Sequence, residues 1–483
     1  MTSTLRELTP LAIQKLGALA DFYNGSNAKQ GWGSSGYRRM LARYYNLMIP
    51  PGSSVLEIGC GNGGLLAQIR AERRVGLDLS ERRIELARGS APDCEFHVGS
   101  GELLGQFLDL KEKFDVIILS ETINEAADVQ VLMQELLKVS HPQTRLLLNF
   151  FNNLFQPLSA LATLLGARGH HLPANWLSTS DVKGLLGISG WETVTTNHRI
   201  LFPFQVPGVD FLLNRCLAPL CAPLGITIFC TARPNPTSSD SSPKPLSVSV
   251  IIPARNEEGN IEDAVLRTPD LGSGTELIFV EGHSSDGTWA EIQRVATAYP
   301  EKRITCLRQR GEGKGDAVRA GFAAASGDIL MILDADLTVQ PEELPKFYDA
   351  IASGQSEFVN GVRLVYPMER ESMRFLNLCA NKAFGLIFSW MLGQPVKDTL
   401  CGTKALLRSD YLRLAAGRSY FGEFDPFGDF DLLFGAGKLG LRITEIPIRY
   451  RERTYGSTNI RRWHHGTLLL RMVVVAARKL KFI

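Results

Sequence analysis

The chain has 483 residues, of which 45% are hydrophobic and 21% charged, and its formal net charge is +2. That length exceeds one ordinary core, so two domains are expected, and the composition is that of a soluble globular protein. A charge so close to zero gives no reason to expect nucleic acid as a partner, while leaving room for local basic surfaces. The eight cysteines form no CxxC pair and no metal-ligand spacing, which points to reduced thiols in a cytoplasmic setting. Met1 to Pro10 lacks the apolar core of a signal peptide. No uncharged apolar run reaches the ~18 residues that a membrane span needs; Phe384–Leu392 and Leu468–Ala477 come nearest and are too short.

The first half opens with a helical region containing Tyr23, Trp32 and Tyr37, then turns at Pro50-Pro51-Gly52. Ser54 to Ile58 reads as a buried strand running into Gly59-Cys60-Gly61-Asn62-Gly63-Gly64, where glycine lets backbone approach a ligand closely. The next strand, Arg74 to Leu77, ends at Asp78, about twenty residues on, as a nucleotide ribose site requires. Cys94–Val98, Phe114–Leu119 and Leu146–Phe150 are further strands with helical stretches between them, an alternation that implies a parallel, doubly wound α/β sheet. Glu192–Leu201 and Ile226–Ala232 look like a closing pair of strands joined by a long insert. Glycine spacing alone fits a dinucleotide site and a nucleoside site equally.

Val55 to Gly63, Gly76-Leu77-Asp78-Leu79-Ser80 and Phe114-Asp115-Val116-Ile117 resemble the class I S-adenosylmethionine-dependent methyltransferases over roughly residues 40 to 232. The resemblance implies a Rossmann-like sheet that binds S-adenosylmethionine through Glu57, Gly59, Gly61, Asn62, Gly63, Asp78, Ser100 and Ser120. The glycine loop would pass under the methionine part and Asp78 would hold the ribose hydroxyls. Ser100, where many relatives carry Asp, would meet the adenine. Glu121 and Glu125 follow the fourth strand, where such enzymes often line their acceptor pocket; a solvated helix start accounts for the same letters.

Pro234 to Pro245 collapses to Pro, Ser, Thr and Asp and reads as a linker, because it cannot bury enough surface to offset its ordering entropy. Beyond it, Leu246 to Ile252 is a strand stopped by Pro253, Asn260 is placed to cap a helix, and Glu276 to Val280 is a strand ending at Glu281. Ser284 to Thr288 opens the next helix, and Ile304 to Leu307 is a third strand. Gly311-Glu312-Gly313-Lys314-Gly315 is not a P-loop, since Arg308 and Gly315 stand where that motif needs Gly and a hydroxyl, but it brings a cation and backbone N–H groups toward an anion. Ile329 to Leu333 is a short apolar strand that gives way to Asp334-Ala335-Asp336. Strand alternation puts the two carboxylates on one side, where Mg²⁺ or Mn²⁺ would relieve their repulsion and gather a substrate diphosphate. A turn after a strand, where Asp is common, accounts for the pair as well.

Ile252 to Glu257, Gly313 to Ala317, Asp334 to Leu337, Asp398-Thr399-Leu400-Cys401-Gly402, Ile446-Pro447-Ile448 and Arg453 to Gly456 resemble, in that order, the family-2 glycosyltransferases of the GT-A fold. Within them the polyprenyl-phosphate (dolichyl-phosphate) sugar transferases are most similar. The resemblance implies a nucleoside diphosphate sugar held by Pro253, Arg255, Glu257, Glu281, Asp286, Gly313 and Ala335, and a metal on Asp334 and Asp336. Lys314 and Arg453 would neutralise the diphosphate. Two departures are visible: Glu281-Gly282-His283-Ser284 stands where Asp-Asp-Gly-Ser is usual, and Thr338 where a better metal-coordinating side chain can occur.

Arg363 and Arg374 are positioned to grip an acceptor phosphate, and the apolar stretch after them is either a core helix or one lying in a membrane interface. A phosphate dianion needs no general base, whereas a sugar hydroxyl would, and Asp429 or Asp431 could then supply it. The basic C-terminus, from Arg461 to Lys481, suits an anionic membrane surface or a solvated terminal helix equally. The expected architecture is a methyltransferase-like domain over 1–233, a linker over 234–245 and a GT-A domain over 246–483. The expected activity is bifunctional: sugar transfer to a polyprenyl phosphate, and methylation of the sugar, the lipid-linked product or a related metabolite, at the cytoplasmic membrane surface. The rivals are a glycosyltransferase using a soluble hydroxyl acceptor, and an active glycosyltransferase carrying a non-catalytic cofactor-binding module.

Overall fold

A computed structural model describes residues 8–25, 34–157, 174–206, 208–236, 245–365, 375–420, 428–451, 453, 455 and 462–483, without the side chains of 34, 375–380, 429 and 462–466. Contacts divide the chain into two units, residues 1–239 with 481–483, and residues 240–480. Most of the Pro/Ser-rich segment, and Trp32 and Arg374, lie outside the described residues.

In the first unit, helices α1 (Pro10–Gly25) and α2 (Ser34–Met48) precede the strands β1 (Ser54–Ile58), β2 (Arg73–Asp78), β3 (Glu95–Val98), β4 (Phe114–Ser120), β5 (Ser140–Phe151), β6 (Trp191–Arg199) and β7 (Thr227–Pro234). The sheet order is β3-β2-β1-β4-β5-β7-β6. The neighbours from β3 to β5 are parallel, and β7 runs antiparallel to both β5 and β6. Helices α3 (Glu81–Ser90), α4 (Thr122–Glu125), α5 (Val129–Leu137) and α6 (Thr179–Ile188) connect them. The central strands are buried on both faces, because alternate side chains feed two different cores. Leu56, Ile117 and Leu148 join one, while Val55, Val116 and Leu147 join the other with Met40, Leu41 and Tyr45 of α2. Glu57 interrupts that apolar run at 2% exposure.

In the second unit the strands are β8 (Val248–Ala254), β9 (Thr275–Glu281), β10 (Arg303–Arg308), β11 (Ile329–Ile332), β12 (Phe358–Val362), β13 (Lys404–Leu407) and β14 (Ile443–Pro447), in the order β10-β9-β8-β11-β13-β12-β14. The neighbours from β10 to β11 are parallel, β13 is antiparallel to β11 and β12, and β14 is parallel to β12. The helices are α7 (Ile261–Arg267), α8 (Thr288–Ala298), α9 (Lys314–Ala324), α10 (Leu344–Ala352), α11 (Phe375–Leu392), α12 (Arg408–Ala416), α13 (Asp429–Lys438) and α14 (Arg462–Leu480). All four residues of β11 are buried, as its unbroken apolar run predicts, and the chain leaves the sheet at the carboxyl ends of β8, β9 and β11. That is the edge where open α/β sheets bind ligands. No helix among the described residues is long and apolar enough to cross a membrane.

Candidate active sites of the two units

The glycine loop after β1 has Gly59, Gly61 and Gly63 at φ 75°, 56° and 72°. Gly61 is the informative one: its N–H donates to Asp78 Oδ2 at 2.8 Å, and a Cβ added there would meet nothing within 4 Å. Positive φ makes glycine the natural occupant, and the space beside it is open for a ligand. The other Asp78 oxygen accepts from Ser80 N at 2.9 Å. Glu57 points into the same region, and its Oε2 has no hydrogen-bond partner among the described residues. Burial pushes its carboxyl up to about 8 although Arg38 pulls the other way. Arg38 also bonds Asn62 Oδ1 at 2.7 Å. An open glycine corner, a carboxylate at the second strand's end and an orphaned buried carboxyl oxygen are what a cationic nucleoside cofactor would find useful. The residues therefore fit S-adenosylmethionine.

Both serines expected at the cofactor already have protein partners. Ser100 is 3% exposed, and its hydroxyl donates to Glu102 at 2.5 Å. The Ser120 hydroxyl is bonded to the Tyr45 phenol, which α2 brings over the sheet.

In the second unit Asp334, Asp336, Lys314 and Arg453 come together. Asp334 and Asp336 do not share one face of a strand as alternation predicts, because β11 ends at Ile332 and the pair lies in a turn that Leu337 completes at φ 49°. Lys314, the first residue of α9, places Nζ 2.5 Å from Asp334. Burial works against the Asp334 charge, but Lys314 overrides it and holds the carboxyl below its ordinary value. Arg453 bridges two carboxylates, Nη2 to Asp336 Oδ2 at 2.7 Å and Nη1 to Glu257 Oε1 at 2.9 Å. Thr338 spends its N–H and hydroxyl on Asp336 Oδ1, so it orients that carboxylate. Two hard oxygen donors, each balanced by a movable cation, fit a divalent ion that brings its remaining ligands on a diphosphate.

Gly402 completes the arrangement. A Cβ there would stand 2.2 Å from both Asp334 Oδ2 and Lys314 Nζ. The loop that carries it is anchored by Asp398, which is fully buried and bound by Arg363 through Nε at 2.8 Å and Nη2 at 2.9 Å. Asn381 adds a bond at 2.9 Å, and the Asp398 carboxyl sits at about 2 because these partners outweigh its burial. Arg363 thus holds a loop rather than presenting its fork to an acceptor phosphate, a correction to the expected role. Lys404 behind the loop is fully buried, donates to Cys401 O, and adds a further positive charge on Asp334.

The nucleotide-side residues divide. Pro253, Ala335 and Gly313 line the strand ends and the turn before α9, and Arg255 is exposed there. Glu257 is buried, with Asn260 Nδ2 2.8 Å from its second oxygen, so it positions Arg453, and Asn260 serves it instead of capping a helix. Burial pushes Glu257 up to about 7. Glu281 accepts from Ser284 N, and Asp286 from the N–H and hydroxyl of Thr288 at the start of α8. Asp431 is bound by Arg418 at 2.7 Å and is 8% exposed, a correction to its expected role as a base; the Asp429 side chain is outside the described residues. Gly402, Asp398 and Lys404 were the residues that sequence reasoning left without a role.

Residues 249–413 match the family model described as glycosyl transferase family 2, and residues 49–190 the one described as methyltransferase domain. The chain is similar to a dolichol-phosphate mannosyltransferase of Pyrococcus furiosus, 32% identical over 225 residues, covering 45% of this chain and 60% of that protein. It is also similar to an undecaprenyl-phosphate 4-deoxy-4-formamido-L-arabinose transferase of Edwardsiella ictaluri, 30% identical over 216 residues, 44% of this chain and 62% of that protein. The match thus spans about three fifths of these relatives' length. A solved glucosyl-3-phosphoglycerate synthase from Mycobacterium tuberculosis covers 49% of this chain and 80% of its own at 23% identity and a TM-score of 0.35, too loose a likeness to bear on substrate or metal.

Proposed function

From a chain that joins a methyltransferase domain to a family-2 glycosyl transferase domain, we propose a bifunctional enzyme that transfers a sugar from a nucleoside diphosphate to a polyprenyl phosphate and also methylates. The reading of the second unit rests on one observation above the rest: Lys314 and Arg453 each hold one carboxylate of the Asp334/Asp336 turn at the carboxyl end of the sheet. In the reaction the acceptor phosphate oxygen bonds the anomeric carbon as its bond to the donor diphosphate breaks, with inversion. Asp334 and Asp336 would hold a divalent cation, which when bound offsets charge on the departing diphosphate. Lys314 and Arg453 contribute the protein's own positive charge to that leaving group. A phosphate dianion attacks without surrendering a proton, so the pairing of Asp431 with Arg418 costs the reaction nothing.

A membrane-surface location is supported by α11 and α14, neither of which carries an acidic residue. Leu386 is 75% exposed one turn from Lys382, and Leu470 and Val474 are exposed beside Arg471 and Arg478. The names of the two curated relatives, which specify dolichol phosphate and undecaprenyl phosphate, favour the same acceptor class.

For the first unit the proposal is S-adenosylmethionine-dependent methylation of the sugar, the lipid-linked product or a related metabolite, supported by Gly61, Asp78 and the orphaned Glu57 oxygen. Incubation with vesicles of undecaprenyl or dolichyl phosphate and a panel of sugar nucleotides should yield a phosphate-linked sugar in the lipid phase. A glycoside found only in the aqueous phase would replace this reading with a soluble hydroxyl acceptor. Calorimetry should show S-adenosylhomocysteine binding that Asp78→Ala weakens by about tenfold or more, the loss of about one charge-assisted hydrogen bond. Absence of binding would leave the first unit a scaffold.

A further inference from the structure

Along the carboxyl end of the first sheet, on the face that α2 covers, lies a row of polar side chains. Pairing register and strand alternation put Glu57 of β1, Ser120 of β4, Asn149 of β5 and Thr227 of β7 on that one side. Helix α2 reaches down to them with two phenols: Tyr45 donates to Asn149 Oδ1 at 2.6 Å, and the Tyr37 hydroxyl lies 2.9 Å from Thr227 Oγ1. Asn149 is fully buried, and its Nδ2 has no hydrogen-bond partner among the described residues. A buried amide donor left open is uncommon in native proteins and asks for a group not yet named. The cofactor region accounts for the open Glu57 oxygen but not for the Asn149 amide.

Beside it stands Glu121, the first residue past β4, at φ 63° and ψ 0°. A side chain other than glycine rarely takes that backbone, and such strain collects at functional sites. The conformation is pinned on both sides: Glu121 N donates to Asn149 O at 2.9 Å, and Thr122 Oγ1 donates to Ile58 O at 2.6 Å. Thr122 is also close against the glycine loop, since a Cβ on Gly59 would lie 2.9 Å from its hydroxyl. The Glu121 carboxylate accepts from the Tyr37 phenol, which aims it along the polar row. This corner is therefore fastened to the cofactor loop and presents, within one strand of each other, an amide donor and a carboxylate.

We propose that this corner is the methyl-acceptor subsite, that it takes a neutral hydroxyl such as that of a sugar, and that Glu121 is the base. The inference rests on the methyl-transfer reading of the first unit and names its substrate class. A hydroxyl can accept from the Asn149 amide while donating its proton to Glu121, and unlike a neutral amine it needs a base to take that proton as the methyl is transferred. An ammonium has no lone pair to offer, and a carboxylate or phosphate would meet Glu57 and Glu121 with no proton to give. Arg38 acts on both of those carboxylates, but it is already bonded to Asn62 in the glycine loop. In the step the acceptor oxygen forms a bond to the methyl carbon, the carbon–sulfur bond breaks with its electron pair going to sulfur, and the sulfonium becomes a thioether. The hydroxyl proton passes to the Glu121 carboxylate and from there to water.

The test uses the full chain with S-adenosylmethionine labelled in the methyl group, a panel of UDP- and GDP-sugars, and vesicles containing undecaprenyl or dolichyl phosphate. Wild-type protein should place label in an alkali-stable methyl ether on a sugar. Glu121→Gln should lower that rate by about 10²–10⁴-fold, the usual range for loss of a general base, while S-adenosylhomocysteine affinity measured by calorimetry stays within about threefold, which also shows that the unit is folded. Label in an alkali-labile ester or on nitrogen would overturn the proposal. So would a Glu121→Gln rate equal to wild type, or no labelled product from protein that binds S-adenosylhomocysteine. Failure of the wild type to bind S-adenosylhomocysteine would instead sink the methyl-transfer reading beneath it.

Discussion

Gly402→Ala is expected to remove sugar transfer almost completely while leaving the protein folded. The added methyl would stand 2.2 Å from Asp334 Oδ2 and from Lys314 Nζ, far inside contact distance. Both atoms are the ends of flexible side chains, so the fold can yield by swinging them aside instead of moving backbone. The displaced groups are the ones proposed to meet the metal and the diphosphate, and a misplacement of about 1 Å can cost about 10²-fold in rate. The expected result is transfer lowered by about 10²-fold or more with an unfolding midpoint within a few degrees of wild type, about what 1 kcal/mol would do. Gly327→Ala is the contrast, because its methyl would meet Ser249 backbone nitrogen at 2.7 Å, which no side-chain rotation relieves. That variant should lose stability first. A Gly402→Ala protein with wild-type transfer would show that the loop stands clear of the reacting groups.

Arg453→Ala should produce the other large effect, a loss of about 10²–10³-fold in transfer, as expected when a donor aimed at developing negative charge is removed. Arg453→Lys should recover only part of it, since a single ammonium cannot bridge Asp336 and Glu257 as the planar fork does. The change also carries a pH signature. Burial holds Glu257 up at about 7 and Arg453 is the main influence pulling it down, so losing Arg453 raises it further. The folded state then keeps a proton that the unfolded chain releases near 4.5. An acid raised on folding makes stability fall as pH climbs from the unfolded value to the folded one. The drop in unfolding midpoint between pH 5 and pH 8 should therefore be larger in Arg453→Ala than in wild type, measured by thermal denaturation at both values. Equal drops would mean that Arg453 does not govern Glu257.

Much of this could be read from the letters, for physical reasons that vary with the residue. Ile329 to Ile332 is apolar without interruption and can only be a strand covered on both sides, so the place where it meets Asp334 was visible as a site edge. The glycine loop and Asp78 were legible because positive φ and close approach leave few alternatives to glycine. What stayed hidden depended on partners far away in sequence. Arg363 and Asp398 lie thirty-five positions apart, and their pairing turned an expected ligand of the acceptor into a brace for the Gly402 loop. Glu257 and Arg453 are 196 positions apart, so the carboxylate looked like a reader of the nucleotide base until its partner was known. The Ser100–Glu102 bond was also hidden, because a hydroxyl two residues before a carboxylate at a turn start bonds that neighbour only in the folded turn. The turn at Leu337 breaks the strand alternation that the sequence reading used for Asp334 and Asp336.

The most direct test is the rate of sugar transfer to polyprenyl phosphate by Asp334→Asn and Asp336→Asn, each assayed with Mg²⁺, with Mn²⁺ and with chelator. Loss of a carboxylate that positions a catalytic cation and its diphosphate should cost about 10³-fold, or several kcal/mol of transition-state stabilisation. Both variants should keep an unfolding midpoint close to wild type, and chelator should silence the wild-type enzyme to a similar degree. Transfer at the wild-type rate by either variant, or full activity in chelator, would contradict a divalent cation held by this pair of carboxylates.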